Sequence, residues 1–264
     1  MSIRSQTPPS SGRPRTAPAR ARFLDCLVDT LTMKETVELI DTSIREGRSI
    51  QHGVVDAGKL ALMHGDPFLR RSVTESDIVN GEGQLLVWLS RLQKHPLPER
   101  VVGLELFENL LALAHERDYK VFLFGAREEI VGKVVHIVSR RYSSRIIAGF
   151  RNGYYAAGEE EGIARLIASS GAHMLFVGIS SPRKEMFLYE NRAILATVPF
   201  RMGVGGSFDV VAGKVKRAPL WMQRACLEWF YRFLQEPRDK WKVEVVDSFH
   251  FLYLFFVHDL LRHR

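Results

Sequence analysis

The sequence contains little cysteine and no recognisable metal-binding pattern. Its two cysteines, Cys26 and Cys226, lie far apart in the 264-residue chain. That spacing excludes a disulfide scaffold and fits a reducing compartment. The nine histidines are scattered without an H-x-x-x-H pattern, and no Asp-x-Asp motif occurs in the chain. We therefore expect no metal ion and no other cofactor.

Two further absences narrow the class of protein. An early G-x-G-x-x-G fingerprint is missing, which disfavours a Rossmann-type oxidoreductase. The apolar stretch from Phe249 to Val257 is shorter than the roughly 20 residues that a membrane helix needs. The N-terminus also lacks the apolar core of a signal peptide, so we expect a cytoplasmic protein.

Acidic residues are absent from the first 24 positions, which hold Arg4, Arg13, Arg15, Arg20 and Arg22. These five arginines account for most of the formal net charge of +7. Residues 1–22 are also rich in Pro and Ser, and this composition predicts a disordered basic tail. A tail without a specific partner is the simpler interpretation. The alternative is a non-catalytic basic protein that binds nucleic acid or an anionic membrane surface.

Residues 23–218 alternate between short apolar runs and helical patterns. The runs "KVFLFG", "RIIAGF" and "HMLFVG" each precede a helical segment. This alternation predicts an α/β fold with a Rossmann-like, mainly parallel sheet and helices on both faces. Residues 219–264 are aromatic, basic and helical in pattern, and we predict a C-terminal helical appendage near the membrane. Packing of this appendage on the core is the open alternative.

The unusual residues of the chain fall at the predicted strand ends, where α/β proteins bind ligands. Asp56 follows the first of these strands, and Glu82 follows "DIVN" between Gly81 and Gly83. An exposed acid at a strand end is a candidate general base, and a turn glutamate is the alternative.

The second half of the chain offers candidates for anion binding. Gly205 and Gly206 precede a helical pattern whose free N–H groups suit a phosphate, although a plain turn would use the same residues. Arg183 and Lys184 stand at a helix start, where cations oppose the helix dipole unless an anion is bound. A basic series interleaved with aromatic residues suits a diphosphate, single-stranded nucleic acid or an anionic bilayer. It consists of Lys214, Lys216, Arg217, Arg224, Arg232 and Arg238.

Seven motifs occur in an order that resembles the bacterial WecG/TagA/CpsF glycosyltransferase family. The match runs from about Ser49 to Trp241 and includes "NGEGQLLVW", "PLPERVVGLELFENL", "VFLFGA", "IAGFRNGYY", "LFVGISSPRKE", "GVGGSFDVVAGKVKRAP" and "LEWFYRFLQEPRD". The resemblance implies an inverting transfer of a sugar from a UDP-sugar donor to a polyprenyl-diphosphate-linked saccharide. It also implies a peripheral protein at the cytoplasmic face of the membrane, in exopolysaccharide or cell-envelope glycan synthesis. Nucleic acid is not an expected partner, and homo-oligomerisation stays open.

The resemblance also assigns roles to residues. Glu82 matches the family's catalytic base, and the basic C-terminal region, here Arg232 and Arg238, is thought to close over the donor in place of a metal ion. The remaining positions matched as substrate-binding are Asn80, Gln84, Arg100, Gly103, Lys184, Glu185, Gly205, Gly206, Asp209 and Arg217.

Three of the matched segments depart from the family pattern. Glu82 replaces the usual aspartate and extends the base by one methylene, which matters because a displacement near 1 Å can lower a rate about a hundredfold. Val54 and Asp56 stand where relatives have a Thr-x-Asn pattern, so Asp56 is a second candidate for the base. Lys184 replaces a glutamine and makes the site more cationic. The more cationic Arg183–Lys184 pair mildly favours a hexuronic acid donor, but a hexose or an N-acetylhexosamine fits the family equally well.

Overall fold

A computed structural model describes residues 18–224, 230–231, 234 and 247–260. Its strands are β1 (Arg20–Phe23), β2 (Cys26–Asp29), β3 (Ile50–Val55), β4 (Ile78–Gly81), β5 (Val121–Gly125), β6 (Ile147–Arg151), β7 (Met174–Gly178) and β8 (Phe200–Gly203). Its α-helices in the first half are α1 (Met33–Arg45), α2 (Ala57–Gly65), α3 (Pro67–Thr74), α4 (Gln84–Ser90) and α5 (Gly103–Glu116). They continue with α6 (Glu128–Arg141), α7 (Glu160–Ala168), α8 (Arg183–Glu190), α9 (Ser207–Val211), α10 (Leu220–Arg224) and α11 (Asp247–Leu254). Short 3₁₀ segments cover Ser144–Ile146 and Ile194–Thr197, and a π-helical turn, Phe255–Leu260, continues α11.

A six-stranded sheet with the order β4-β3-β8-β7-β5-β6 forms the centre of the molecule. Every adjacent pair in it is parallel, as the alternation of the sequence predicts. Helices α1, α5 and α6 pack on one face and α7 and α8 on the other. Successive residues of β5 show why: Leu123 faces the first set of helices and Phe124 the second. Both faces are covered, so the strands read as continuous apolar runs.

Helix α1 begins at the capping box predicted from the sequence. The Thr32 hydroxyl accepts a hydrogen bond from Glu35 N at 3.2 Å, and the Glu35 carboxylate accepts one from Thr32 N at 2.8 Å. The helix ends before Gly47, whose φ of +67° suits glycine. The sequence therefore identified both ends of this helix correctly.

The β1–β2 hairpin protects the β4 edge of the sheet and begins at Arg20, inside the segment 1–22 predicted as a tail. Arg20 pairs with the buried Asp29 at 2.6 Å, and Asp29 accepts a hydrogen bond from Val79 N of β4 at 2.8 Å. Ala21 and Phe23 are buried in alternation along the strand. The described part of the hairpin thus departs from the predicted boundary because one arginine of that segment is neutralised by a buried acid.

Helix α11 packs one of its sides against the core of the protein. Phe251, Leu254 and Phe255 are buried, and the ring centroids of Phe251 and Phe255 lie 6.5 and 6.0 Å from that of Phe23. The helix packs against α2 of the same cluster. The described C-terminal helix therefore packs on the core. Within the described ranges, no helix has both the length and the apolar character that crossing a membrane requires.

Candidate active site

The carboxyl ends of four neighbouring strands, β4, β3, β8 and β7, bring most of the predicted site residues together. Val55 pairs with Gly81 at the last register position of β3 and β4, so Asp56 and Glu82 follow adjacent strand ends. Segment 181–185 lies beyond the end of β7, and Gly203 ends β8. Parallel strands place their carboxyl ends at one edge, which explains how distant motifs meet.

Asp56 serves the backbone of α2. It is the N-cap residue of that helix in an extended conformation, and its Oδ1 accepts a hydrogen bond from Lys59 N at 2.7 Å. An aspartate in this position satisfies a helix N–H group that would otherwise have no partner. One oxygen of the Asp56 carboxylate is therefore engaged in holding the helix start.

Glu82 stands one residue before the N-cap of its helix, because Gly83 is the N-cap of α4. Its backbone N–H donates to Val55 O at 2.8 Å, and its Oε1 accepts a hydrogen bond from Gly103 N at 3.3 Å. Gly103 is the first residue of α5, whose positive end stabilises a nearby carboxylate. The side chain is half-buried at the sheet edge. Its position suits a base that must reach a bound hydroxyl group.

Glycines keep the space around these acids open. A Cβ added to Gly103 would lie 3.8 Å from both carboxylate oxygens of Glu82, and one added to Gly83 would lie 3.7 Å from the Cβ of Asp56. Larger side chains at either position would fill the space beside the carboxylates. Of the two glycines that flank Glu82, Gly83 lies beside Asp56 and Gly81 packs against Leu97, so the space at the Glu82 carboxylate is left by Gly103.

Lys59 belongs to the site, although the sequence analysis did not identify it. Its buried ammonium group donates to Val54 O at 2.8 Å and to Glu185 Oε1 at 2.9 Å. Burial lowers the pKa of Lys59, but the carboxylates of Glu185 and Asp56 outweigh burial and leave that pKa above its usual value. A cation in the first turn of a helix was the available signal, the same signal that the sequence offered at Arg183 and Lys184.

Lys184 and Glu185 form a buried ionic cluster with Lys59. Lys184 Nζ lies 2.7 Å from Glu185 Oε1 and hydrogen-bonds to Ser181, whose hydroxyl donates to the same oxygen at 2.9 Å. Burial, with the charge of Lys59, lowers the pKa of Lys184 to about 8. Burial raises the pKa of Glu185, but the two ammonium groups outweigh it and lower that pKa to about 2. A carboxylate between two cations is thus ionised throughout the neutral range.

The backbone of β8 packs closely against the Lys184 side chain of this cluster at Gly203. A Cβ at Gly203 would lie 2.8 Å from the Cδ of Lys184, so only glycine leaves room for the lysine side chain. Lys184 is 6% exposed. Its predicted role as an open anion-binding cation therefore needs correction, because its charge is already committed to Glu185. Its neighbour Arg183 is exposed and stacks 5.1 Å above the ring of Tyr155.

A small cavity of about 20 Å³ lies beside the cluster and is lined partly by Gln51, Ser76 and Glu185. That volume holds about one water molecule. Glu185 Oε2 is buried and has no hydrogen-bond partner among the described residues. The cavity is therefore too small for a ligand much larger than a water molecule.

Asn80 lies below the site, and its predicted contact with substrate is corrected by its burial. It is 0% exposed. Its Oδ1 accepts hydrogen bonds from His52 Nε2 at 2.9 Å and from the Thr36 hydroxyl at 3.3 Å. Burial lowers the pKa of His52 to about 4, so the imidazole is neutral. Asn80 thus supports the end of β4 from beneath.

Other predicted residues lie around the edge with partners of their own. Arg100 donates to Gln223 O at 2.9 Å, and Arg217 pairs with Glu105 at 2.5 Å. Asp209 pairs with Lys214 at 2.9 Å. The structure thus assigns Arg100 and Arg217 contacts within the protein.

The remaining predicted positions complete the edge. Gln84 starts α4, and Gly205, with a φ of +52°, and Gly206 form the turn before α9. Arg232 and Arg238 lie outside the described residues. Among the residues that the structure does describe, His, Cys, Asp and Glu side chains do not gather in groups of three that could hold a metal ion.

A parallel α/β sheet with acids and lysines along its carboxyl edge defines the class of α/β proteins that bind ligands beyond their strand ends. A family model described as "Glycosyl transferase WecG/TagA/CpsF family" matches residues 21–264. The chain therefore belongs to the WecG/TagA/CpsF family, as its motif order predicts.

Two curated relatives are both named N-acetylglucosaminyldiphosphoundecaprenol N-acetyl-beta-D-mannosaminyltransferase. The protein from Bacillus subtilis (strain 168) is 36% identical over 170 residues, which is 64% of this chain and 65% of the relative. The protein from Bacillus spizizenii is 33% identical over 177 residues, or 67% of each chain. The matched region thus spans about two thirds of each relative.

Proposed function

We propose that the protein is an inverting glycosyltransferase that moves a sugar from a UDP-sugar to a polyprenyl-diphosphate-linked saccharide. The product would be a longer lipid-linked saccharide for an exopolysaccharide or a cell-envelope glycan. The observation that carries the proposal is the Glu82 carboxylate at the end of β4, held by Gly103 N in a chain of this family. The names of both relatives describe transfer to a diphosphoundecaprenol-linked sugar.

Glu82 is the proposed base. Its carboxylate takes the proton from the acceptor hydroxyl, the oxygen attacks the anomeric carbon, and UDP leaves from the opposite face with the bonding electron pair. One C–O bond forms as another breaks, which inverts the configuration. Asp56 is the weaker candidate because its carboxylate already accepts the Lys59 amide hydrogen bond.

The lysine cluster supports this chemistry electrostatically. The charges of Asp56 and Glu82 both raise the pKa of Lys59. The Lys59 ammonium group is thus close enough to both acids to interact with them electrostatically. An ionised Glu82 is the form that accepts a proton. The negative charge that develops on UDP would be met by basic groups, for which Arg232 and Arg238 remain our proposal, without a metal ion.

The donor is proposed by class. A hexose, an N-acetylhexosamine and a hexuronic acid all remain candidates, and N-acetylmannosamine is the first to test because both relatives are named for it. The argument for a uronic acid rested on the Arg183–Lys184 pair. Since the charge of Lys184 pairs with Glu185, only the exposed Arg183 still supports it, and the argument is weaker than the sequence alone implied.

We also propose peripheral binding at the cytoplasmic face of the membrane. Phe249, Tyr253, Phe256 and Val257 lie on the side of α11 and its π-helical turn away from the core and are 68, 65, 48 and 38% exposed. Aromatic side chains with this exposure suit a lipid interface. Replacing Phe249 and Tyr253 with serine should reduce cosedimentation with anionic vesicles, and unchanged binding would contradict this role. Replacement of the exposed Leu166 of α7 with serine is the control.

The enzymatic proposal is tested by acceptor-dependent UDP release. A panel of UDP-sugars is incubated with a short-chain polyprenyl-diphosphate-linked N-acetylglucosamine and the full-length protein. We expect one donor class to support turnover and Glu82→Gln to lower it by about 10²–10⁴-fold. The control is Glu75→Gln, a surface carboxylate with ion pairs of 3.9 and 3.7 Å. Normal turnover by folded Glu82→Gln would remove Glu82 from the base role.

Binding gives a second, simpler test of the class of enzyme. A ligand that binds only the folded state raises the melting temperature. We expect UDP to stabilise the protein against heat and NAD to have no effect. Stabilisation by NAD alone would contradict the proposed class.

A further inference from the structure

Residues 100–105 form the connection between the candidate base and the C-terminal part of the described chain. This segment enters α5 at Gly103 and lies between the end of β4 on one side and residues 217–224 on the other. Its contacts on the two sides involve different residues. The segment therefore contacts both the end of β4 and residues 217–224.

The contacts on the first side fix the surroundings of Glu82. Val101 N donates to Gly81 O at 2.9 Å, which extends the hydrogen bonding of β4. Gly103 N donates to Glu82 Oε1 at 3.3 Å. The direction of the Glu82 carboxylate thus depends on where residues 101–103 lie.

The contacts on the second side hold the start of the C-terminal part. Arg100 Nη2 donates to Gln223 O at 2.9 Å, and the Gln223 side chain donates to Ala218 O at 2.6 Å. Arg217 pairs with Glu105 at 2.5 Å and with Glu108 at 3.9 Å. Residues 217–224 are thus attached at two points to the segment that contacts Glu82.

We propose that residues 100–105 couple the seating of residues 217–224 to the position of Glu82, with Arg100, Glu105 and Arg217 as positioning residues. Release of residues 217–224 shifts residues 101–103, and the Glu82 carboxylate moves with Gly103. The activity side of this inference rests on the proposed function, but the structural coupling does not.

The Arg217–Glu105 pair is partly exposed, with side chains 28 and 38% accessible. Exposed ion pairs contribute little to global stability. Loss of the pair should therefore leave the fold intact. An effect on Glu82 can then be separated from unfolding.

A double-mutant cycle with Arg217→Gln and Glu105→Gln tests the coupling in the full-length protein. The first readout is hydrogen exchange of the amides of residues 81–83 and 101–103. We expect each single variant to speed exchange there, and the double variant to resemble the singles. Arg165→Gln is the matched control, because its 2.5 Å pair with Glu161 lies on α7. Unchanged exchange at 101–103 in Arg217→Gln would overturn the proposal.

The second readout is turnover. We expect each single variant to lower kcat about tenfold with little change in the donor KM, a smaller loss than the about hundredfold of a 1 Å displacement. The double variant should lose no more than either single. If Arg217 instead binds the donor directly, Arg217→Gln raises the donor KM while Glu105→Gln does not, and the proposal fails. An inactive wild-type protein would contradict the proposed function but leave the exchange test valid.

Discussion

The ends of β3 and β4 each carry one acid but use it differently. At β3, Asp56 is the N-cap of α2 and binds the Lys59 amide, while the Lys59 side chain reaches across the sheet to Glu185. At β4, Glu82 comes one residue before the N-cap, and its carboxylate turns to the start of α5. The end of β3 thus lies beside a buried charge cluster, whereas the end of β4 lies at the open edge of the sheet.

The position of each acid relative to its helix accounts for this difference: Asp56 is the N-cap of α2, whereas Glu82 comes one residue before the N-cap of α4. An acid at the N-cap is held by the backbone of its own helix. Glu82, one residue before the N-cap of its helix, accepts a hydrogen bond from a neighbouring element, Gly103 N of α5. We therefore expect changes near β3 to affect stability and changes near β4 to affect turnover.

The largest effect on stability is expected at the buried cluster attached to the β3 side. Glu185→Gln removes the carboxylate that pairs directly with the buried ammonium groups of Lys59 and Lys184 and should lower the free energy of unfolding by about 3–5 kcal/mol. Chemical denaturation at pH 7 measures it. Glu190→Gln, an exposed change on the same helix, is the control. A loss below about 1 kcal/mol would show that the cluster does not organise the β3 side.

The Glu185 carboxyl group also predicts how the stability of the fold changes at acid pH. The pKa of Glu185 is lowered to about 2 in the folded state, from a usual value of 4.5. A lowered carboxyl pKa stabilises the fold above pH 4.5, and that contribution is lost as the pH falls toward 2. The wild-type protein should therefore lose stability over this range more steeply than Glu185→Gln. Parallel slopes for the two proteins would contradict the pKa assignment.

On the β4 side, Glu82→Asp should lower turnover without lowering stability. The shorter side chain withdraws the carboxylate by one methylene, and a displacement near 1 Å corresponds to about a hundredfold loss of rate. Single-turnover kinetics and a melting curve on the same sample separate the two effects. Full activity in Glu82→Asp would show that the extra methylene is not needed here.

A smaller effect is expected at Asp56. Asp56→Ala removes the cap of α2 and should lower the free energy of unfolding by about 1 kcal/mol. Asp56→Asn keeps a side-chain acceptor and should be close to neutral, since asparagine caps helices about as well as aspartate. Denaturation midpoints of the two variants measure the difference. Equal losses would contradict the capping role.

The smallest effect is expected for Lys184→Gln at pH 7, within about 1 kcal/mol, because removing a desolvated ammonium offsets the lost pair and Lys59 still neutralises Glu185. The effect of this substitution on stability should be clearest at alkaline pH. The folded-state pKa of Lys184 is about 8, below its usual 10.5. The unfolded state thus binds more protons between these values, and this group makes wild-type stability rise with pH there. Lys184→Gln should lack that rise; an identical profile would contradict the assignment.

The fold and the site differ in how far the sequence predicts them. Parallel strands and the ends of α1 follow from local patterns, and the adjacency of Asp56 and Glu82 follows from strand ends meeting at one edge. The burial of Asn80 was missed because it depends on which side of the β4 end faces α1. Lys59 was missed because its partner, Glu185, is distant in sequence. Local sequence patterns do not show which distant residue a charged side chain will pair with.

The central claim is that Glu82 is the base and Asp56 is a helix cap. It is tested most directly by measuring kcat/KM for Glu82→Gln and Asp56→Asn side by side, with both proteins shown to be folded. Glu82→Gln should fall by about 10²–10⁴-fold, whereas Asp56→Asn should stay within about tenfold of the wild-type value because the cap survives. The reverse order, with Asp56→Asn inactive and Glu82→Gln active, would contradict the account.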